Sequence, residues 1–240
     1  ATKLARTWVP ILKYLGGKTG LTLRFKTAPN IPTFEQRLAA GEYDFAYMNP
    51  YHYTVFHEAP GYVAFAHATD QQIKGIIVVR KDSPIQDLEE LTGRTLAFPA
   101  PAAFAASVLP RAHFRNAGID IQAKYVASHD SVYRSVAKGL YPAGGGVMRT
   151  FNSMDPAVTA QLRILWTTAG YTPHAVAAHP TVPVGVVDRL QQTMREMQEE
   201  SEGRELLESI KLKGFTHAHD SEWDDVRALG IQLLDELVRQ

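Results

Sequence analysis

The stretch FEQRLAAGEY, residues 34–43, is the clearest indication of the fold because its pattern returns 98 residues later as VYRSVAKGLY, residues 132–141. Ahead of it, GLTL at 20–23 aligns with GIDI at 118–121 at the same offset. Each copy reads as strand, loop, amphipathic helix, glycine stop and strand. The repeat therefore predicts two α/β units of similar plan, and two such lobes that face each other usually enclose a ligand.

The composition is that of an ordinary soluble globular chain. Its 240 residues are 45% hydrophobic and 21% charged, enough to bury a sizeable core. The 25 basic and 25 acidic residues give zero net charge, so there is no overall attraction to nucleic acid or to an anionic membrane. The absence of cysteine excludes disulfides, thiolate metal sites and cysteine nucleophiles. No apolar stretch approaches the roughly 20 residues of a membrane-spanning helix.

Periodicity and turn residues predict strands that alternate with helices. Thr33 is expected to cap the helix 34–40, with Gly41 as its stop. Leu190, Met194 and Met197 should share one face of a long helix over 184–200. The other helices are predicted around 8–15, in the alanine-rich segment ending near Gly118, at 206–212 and at 222–238, and the strands at 21–26, 44–47, 63–68, 75–80, 95–98 and 163–167. This alternation predicts an α/β fold with mostly parallel sheets, and ligands of such sheets bind at the carboxyl ends of the strands.

Several blocks, taken in order, resemble one family. They are a W-x-P near the start, LAAGEYDFAYMNPYHY, IIVVRKDSPIQDLEELTGRTLAF, Leu109-Pro110, SHDSVYRSVAKGLYPAGG and YTPHAVAAHPTVP. They are similar to the phosphate, phosphite and phosphonate type of periplasmic substrate-binding protein that serves ABC importers. The resemblance implies a two-lobed type II periplasmic-binding (Venus-flytrap) fold with two hinge strands. Lobe one would comprise residues 1–76 and 177–240, and lobe two residues 77–176.

The chain departs from that family in its anion-binding run. Where phosphonate-binding members carry a Ser-Thr-Ser-Gly-like sequence, this chain has Ala103, Phe104, Ala105 and Ala106. The hydroxyl donors are therefore lost, although backbone N–H groups at the start of a helix still attract an anion. Ile73 stands where many members have a ligand-facing tyrosine. Resembling proteins also begin with a β-strand ahead of the helix around Trp8, which this numbering lacks.

The candidate ligand-binding residues follow from this alignment and from the strand ends. Aromatic and amide side chains crowd the end of the strand at 44–47, where aromatics commonly wall a ligand cleft. A histidine before a helix suits an oxyanion, and an arginine after a glycine-rich strand offers a planar fork to carboxylate, phosphate or sulfate-like groups. Core packing, helix capping and solvent exposure are the competing interpretations. The candidates are Tyr47, Asn49, Tyr51, Ala103, Phe104, Ala105, Ser128, His129, Arg149 and His174.

The function expected from this resemblance is reversible capture of a small anion between the lobes for delivery to an ABC permease. The chain is expected to be periplasmic and monomeric, with no cofactor, metal or nucleic-acid partner. An enzyme would need a nucleophile with an organised base, and no such constellation is visible; Ser128, His129 and Asp130 are adjacent and cannot form a relay. The extracytoplasmic domain of a sensor kinase remains an alternative, because it would share the fold.

Overall fold

The computed structural model describes residues 2–235, and side chains from residue 4 onward. Contacts divide the chain into unit 1, Ala1–Gln71 with Thr172–Gln240, and unit 2, Gln72–Tyr171. The nine described strands are β1 Phe45–Met48, β2 Val63–Ala68, β3 Gly75–Arg80, β4 Thr95–Phe98, β5 Gln122–Tyr125, β6 Ala143–Val147, β7 Leu162–Thr167, β8 Ala175–Ala178 and β9 Phe215–His217.

Ten α-helices surround the sheets in the described part of the chain. They are α1 Thr2–Thr19, α2 Ile31–Ala39, α3 Pro50–Glu58, α4 Leu109–Asn116, α5 His129–Ala137, α6 Met148–Asn152, α7 Pro156–Thr159, α8 Val184–Glu196, α9 Ser201–Ser209 and α10 Asp224–Arg227. Shorter helical turns occur at Glu89–Leu91, Met197–Glu199 and Asp220–Trp223, and a π-helix, Phe104–Val108, leads into α4.

Unit 1 contains a four-stranded sheet in the order β1-β8-β2-β9, and every pair in it is antiparallel. Helices α1 and α8 cover a core that includes Ile11, Phe65, Leu190 and Met197. The predicted apolar face of α8 is confirmed, because Leu190, Met194 and Met197 are all buried.

Unit 2 contains a five-stranded sheet in the order β5-β4-β6-β3-β7. Strand β4 pairs in parallel with β5 and β6, whereas β3 pairs antiparallel with β6 and β7. Separate clusters pack on its two faces, one around Val132 and Tyr133 and the other around Phe98 and Phe114. The expectation of mostly parallel sheets was wrong, because β3 and β8 each run against both of their neighbours.

The internal repeat is confirmed element by element. Helix α5 begins and ends 98 residues after α2, and β6 begins 98 residues after β1. The stops after the paired helices also agree, since Gly41 and Gly139 have φ of 64° and 73°. Gly20 and Gly118 both have φ of 72°. Left-handed backbone at these four positions explains why the sequence keeps glycine there.

Several predicted boundaries need correction. Asn30, rather than Thr33, caps α2, since its side chain accepts a hydrogen bond from Thr33 N. Helix α1 continues through Gly16 and Gly17 and ends at Thr19, directly before Gly20, whose φ is 72°. The segment 21–26 is neither helix nor strand and forms no ladder with a described strand, although its side chains alternate between partly buried and exposed. The predicted closing helix 222–238 is replaced by the short turn and α10, and residues 236–238 lie outside the described residues.

Candidate ligand-binding site

In unit 2, the π-helix after β4 starts with donors that have no acceptor. Ala103 is its N-cap and provides no side-chain hydrogen bond. The first backbone donors used within the helix are Ser107 N and Val108 N, which both bond to Ala103 O, at 2.8 and 3.2 Å. The N–H groups of residues 104–106 therefore bond to no described residue. Such a helix start carries partial positive charge and accommodates an anion.

Two glycines fix this helix start against the sheet. A Cβ on Gly75 of β3 would lie 1.9 Å from Ala105 O, and one on Gly145 of β6 would lie 1.9 Å from Ala106 O. These distances are far inside van der Waals contact, so only glycine lets the π-helix backbone rest on both strands. The absence of a side chain at Gly145 thus lets another backbone come close to the glycine-rich strand.

Ser107 is a polar residue of this region that sequence reasoning missed. It follows the alanine run by one position, so an alignment of the run itself passes over it. Its side chain is fully buried, and its hydroxyl has no hydrogen-bond partner among the described residues. A buried hydroxyl without a partner is uncommon in folded proteins, and it marks a position where a bound group can accept a hydrogen bond.

His129 is the first residue of α5 and has one buried, unpartnered ring nitrogen. Its Nδ1 is shielded from solvent and bonds to no described residue. Burial lowers the pKa of His129 to about 4, nearby Asp130 opposes that shift, and the charge of Arg149 adds to it. The imidazole is therefore neutral near pH 7. Ser128 is the N-cap of this helix, and its Oγ accepts a hydrogen bond from Ser131 N at 3.1 Å. The hydroxyl oxygen of Ser128 is therefore already used to cap α5.

Arg149 lies in α6, close enough to His129 to act on it electrostatically. Its guanidinium is exposed and makes no ion pair with a described residue. Tyr133 joins the two helices, because its hydroxyl accepts from Val147 N at 3.1 Å and lies 2.7 Å from Thr150 Oγ1. The middle of α5 and the start of α6 are thus held together, and His129, one turn before Tyr133, and Arg149 lie in one region of unit 2.

In unit 1, two of the predicted residues stack on each other. The rings of Tyr47 and His174 are 5.1 Å apart with an interplanar angle of 29°, and Trp8 contacts the same tyrosine at 5.1 Å. Asn49 caps α3, where its Oδ1 accepts from His52 N at 2.8 Å. The end of β1 therefore brings Tyr47 together with His174, and Asn49 follows β1 as the cap of α3.

Tyr51 lies in the core of unit 1. It is 2% exposed, and its hydroxyl accepts a hydrogen bond from Leu234 N at 3.0 Å. Burial raises the pKa of Tyr51 to about 12. We therefore leave Tyr51 out of the ligand site proposed below. Phe104 is also buried and meets the edge of Tyr171, with ring centroids 5.6 Å apart, and the side chains of Ala103 and Ala105 are buried beside it.

The described residues contain neither a metal-binding cluster nor a membrane-spanning helix. They contain no group of three or more metal-ligating side chains that could hold an ion. No described helix combines the length and the apolar character needed to cross a bilayer.

Comparison with known proteins places the chain in a class of two-unit α/β binding proteins. The profile of the family described as "ABC transporter, phosphonate, periplasmic substrate-binding protein" matches residues 1–223. This match extends over most of the chain, and the chain therefore belongs to that family. It is a substrate-binding transporter component and not an enzyme, and it works with an ABC transporter. No curated protein matches the sequence.

Solved structures show the same fold at low sequence identity. The binding-protein component of a Pseudomonas aeruginosa ABC phosphonate transporter is 16% identical with a TM-score of 0.85, over 96% of this chain and 82% of that one. PhnD1 of Prochlorococcus marinus in complex with methylphosphonate is 16% identical with a TM-score of 0.84, over 95% and 92%. A Xanthomonas citri protein bound to ATP is 19% identical with a TM-score of 0.77, over 95% and 94%. The predicted type II periplasmic-binding fold is confirmed.

Proposed function

We propose that this substrate-binding protein takes a small oxyanion of the phosphonate or phosphite type, or a related anion, at the π-helix start of unit 2. The observation that carries the proposal is the set of three backbone N–H groups, at residues 104–106, that bond to no described residue. Three convergent donors on a rigid helix start suit the oxygens of a tetrahedral anion, whose charge is also favoured by the helix dipole.

The charged and polar side chains of the same unit support this choice. Arg149 offers a planar guanidinium that can donate two parallel hydrogen bonds to an oxyanion. His129, neutral near pH 7, can donate one hydrogen bond if its proton is on Nδ1. The hydroxyl of Ser107 is a fourth kind of donor in the set. We propose Arg149 as the principal charge partner and His129 as a neutral donor.

The loss of the serine and threonine hydroxyls shapes the expected specificity. Ala103, Phe104 and Ala105 leave the site with backbone donors and an apolar wall that Phe104 forms with Tyr171. Fewer donors stabilise a doubly charged group less well. We therefore expect a singly charged anion, or one with an apolar substituent, to bind better than phosphate. Methylphosphonate, the ligand of the Prochlorococcus marinus relative, has such a substituent.

In unit 1, Tyr47, Asn49 and His174 are proposed as further ligand contacts. The Tyr47–His174 stack presents aromatic faces and polar edges, a combination common in ligand pockets. Ser128 is proposed as a ligand contact only because it lies at the start of α5. Its side-chain oxygen already caps that helix. We further propose that the protein acts in the periplasm, in keeping with the description of its family, and that it is a monomer.

The proposal is tested by calorimetry and thermal shift at low salt with methylphosphonate, phosphite, phosphate, sulfate and acetate. An anion at 100 times its Kd adds about 2.7 kcal/mol, which raises the Tm of a chain of this size by about 5–10 °C. Arg149→Gln should weaken binding at least tenfold, because it removes the cation. Arg134→Gln, an exposed arginine of α5, is the matched control and should bind normally.

Two results would contradict the proposal. If Arg149→Gln and Ser107→Ala both bind every anion as well as the unaltered protein, the ligand does not lie at this helix start. If no anion binds at millimolar concentration, the ligand is not an oxyanion. A neutral ligand identified in the same assay would then replace the oxyanion as the ligand of this protein.

A further inference from the structure

The charges of unit 2 do not balance. Residues 72–171 contain 11 basic and 7 acidic side chains, a net charge of +4, whereas the whole chain has a net charge of zero. Among the described residues, which include all of this unit, Arg80 with Asp82 is the single ion pair that involves it. The other basic side chains keep their charge without a described carboxylate partner, so their combined positive potential extends into the surrounding solvent.

The carboxylates of unit 2 are concentrated away from the proposed anion site. Strands β4, β5 and β6 all end at one edge of the sheet, the carboxyl edge, where β4 leads to the π-helix. At the opposite edge, the amino edge, these strands begin and the antiparallel β3 ends. Asp130 adjoins His129 in the first turn of α5, and Asp155 caps α7. The other five carboxylates follow β3 or directly precede β4 and β5, at the amino edge: Asp82, Asp87, Glu89, Glu90 and Asp120.

Lys74 lies at the carboxyl edge, beside Arg149. The backbone C=O of Lys74 accepts a hydrogen bond from Met148 N at 3.1 Å, and Met148 directly precedes Arg149. The residue after Lys74, Gly75, rests against the π-helix, because a Cβ on Gly75 would lie 1.9 Å from Ala105 O. The backbone of Lys74 is therefore adjacent both to the helix start at 104–106 and to the start of α6.

Lys124 lies near the same edge, on the same face of the sheet as Lys74. It pairs with Ala97 of β4, one residue before β5 ends at Tyr125. Tyr125 packs in the cluster around Phe98 and Phe114, so its neighbour Lys124 lies on the other face, which α5 covers. By the same alternation Lys74 lies on the face of Ile76, which packs with residues of α5. Both lysines are exposed, and neither forms an ion pair with a described residue.

We infer that Lys74 and Lys124 steer the anion toward the helix start of unit 2, so that they raise its association rate without holding it once it is bound. The inference rests on the proposed function, since it requires an anion that binds at residues 104–106. Exposed lysines are hydrated point charges on flexible stems, and an ion pair formed by such a side chain in water contributes little to affinity. Their field nevertheless acts on an anion before it makes any contact.

Two lysines at the amino edge provide a matched comparison. Lys81 follows β3 seven residues after Lys74, which at about 3.3 Å per residue places it roughly 23 Å away. Lys138 closes α5 shortly before β6 begins, so it also lies at the amino edge. Both are exposed and lack an ion pair with a described residue. Removal of either pair of lysines therefore changes the net charge equally, but only Lys74 and Lys124 lie near the site.

The first test measures the association and dissociation rates of methylphosphonate by stopped-flow fluorescence of the full chain. At about 10 mM salt, the double variant Lys74→Gln, Lys124→Gln should associate about threefold more slowly, because two charges about 10 Å from the arriving anion are lost. Its dissociation rate should not change. At about 1 M salt, where charges are screened within about 3 Å, its association rate should equal that of the unaltered protein. The control variant Lys81→Gln, Lys138→Gln should associate less than about 1.5-fold more slowly at low salt.

Two kinetic results would overturn the inference. Equal association rates of the two double variants at low salt would mean that position at the carboxyl edge confers no advantage. Faster dissociation of Lys74→Gln, Lys124→Gln with an unchanged association rate would mean that these lysines hold the bound anion and do not steer it. If no anion binds to the unaltered protein, the proposed function fails and the inference fails with it. Binding at equal rates overturns the inference alone.

A second test measures the local potential without a bound ligand. Paramagnetic relaxation of amide protons is compared between an anionic nitroxide and a neutral nitroxide of the same size. The anionic probe should be enriched over the neutral one at the exposed residues Asp130 and Arg149, more strongly than at Lys81. This enrichment should fall in Lys74→Gln, Lys124→Gln and stay the same in Lys81→Gln, Lys138→Gln. An enrichment that does not differ between the two variants would overturn the inference, whichever anion the protein binds.

Discussion

Gly145 shows how one missing Cβ positions the proposed anion site. The carbonyl oxygen of Ala106 occupies the space that a side chain would need, at 1.9 Å, and that oxygen belongs to backbone that cannot rotate away. We predict that Gly145→Ala lowers the free energy of unfolding by about 2–3 kcal/mol, as overpacking does. Denaturation by urea would measure it.

Gly17→Ala is the control for this substitution. Gly17 lies inside α1 with nothing within 4 Å of its added Cβ, so alanine should stabilise the helix by about 0.5–1 kcal/mol. If both substitutions had the same effect, contact between β6 and the π-helix could not be the reason that position 145 is glycine.

His129 makes stability depend on pH. Its pKa falls from an ordinary 6.5 to about 4, chiefly because burial disfavours the charged ring. Between these values the unfolded chain binds more protons than the folded one. The contribution is therefore complete above pH 6.5 and is lost as pH falls toward 4, by up to about 1.4 kcal/mol per pH unit.

We predict that His129→Asn flattens the pH dependence of unfolding between pH 4 and 6.5. Urea unfolding at half-unit intervals would measure it, with the exposed His113→Asn as the control. An unchanged slope in His129→Asn would mean that the ring is solvated and charged at pH 5, contrary to its buried position.

Among the elements of unit 1, the turn Asp220–Trp223 and the following helix α10 are attached to the core through the side chain of Asp220. Tyr53 Oη donates to its Oδ1 at 2.8 Å, and Arg227 adds a charged hydrogen bond to the same oxygen. Burial acts to raise the pKa of Asp220, but these hydrogen bonds outweigh it and hold the pKa below its usual value. One carboxylate oxygen thus links two elements that are distant in sequence.

We predict that Asp220→Asn lowers the free energy of unfolding by about 1–2 kcal/mol and exposes the segment around α10 to protease. Asp224→Asn is the matched control, since Asp224 is exposed and, among the described residues, forms an ion pair with Arg227 alone, three residues on. Its loss should cost less than about 0.5 kcal/mol. Limited proteolysis with mass spectrometry would show whether cleavage begins there. Equal cleavage of both variants would argue against an anchoring role for Asp220.

The sequence predicts elements well where local signals and packing agree. Glycine stops and helical periodicity locate α2, α5 and α8, and the strand at 95–98 is found as predicted. Residues 21–26 have the alternation of a strand but pair with no described residue, which no local pattern reveals. Strand direction was mispredicted for a similar reason: β8 enters the sheet from a distant part of the chain, so alternation alone does not fix its direction.

The candidate site is less readable from sequence than the fold. Alignment draws attention to His129 and Arg149, and their proximity in unit 2 follows from the bonds of Tyr133. The burial of Tyr51 could not be predicted from its neighbours in the sequence, because its hydrogen-bond partner Leu234 lies far along the chain. Ser107 was missed because its significance depends on having no partner, which is a property of the packed structure.

At the scale of the whole molecule, unit 2 is one uninterrupted segment whose ends meet. Ile73 N bonds to Tyr171 O at 2.9 Å, and Tyr171 N bonds to Ile73 O at 3.1 Å. The segment has its own sheet and its own cores on both faces. We predict that residues 72–171 fold alone, as measured by circular dichroism and by cooperative urea unfolding.

Residues 1–71 are the comparison fragment and should remain unfolded. They contain β1 and β2 but lack β8, which pairs with both of these strands. A folded 1–71 fragment, or an unfolded 72–171 fragment, would contradict this division into separately stable parts.

The central position of β8 also sets an order of events on the ribosome. Strands β1 and β2 are translated early but cannot join until β8 emerges, about 100 residues later, which takes roughly 5–20 s at usual elongation rates. All of unit 2 is translated in that interval. The later-encoded half of the repeat therefore completes its fold first, and the amino-terminal half of the nascent chain waits, with its apolar strands exposed, for a strand from beyond it.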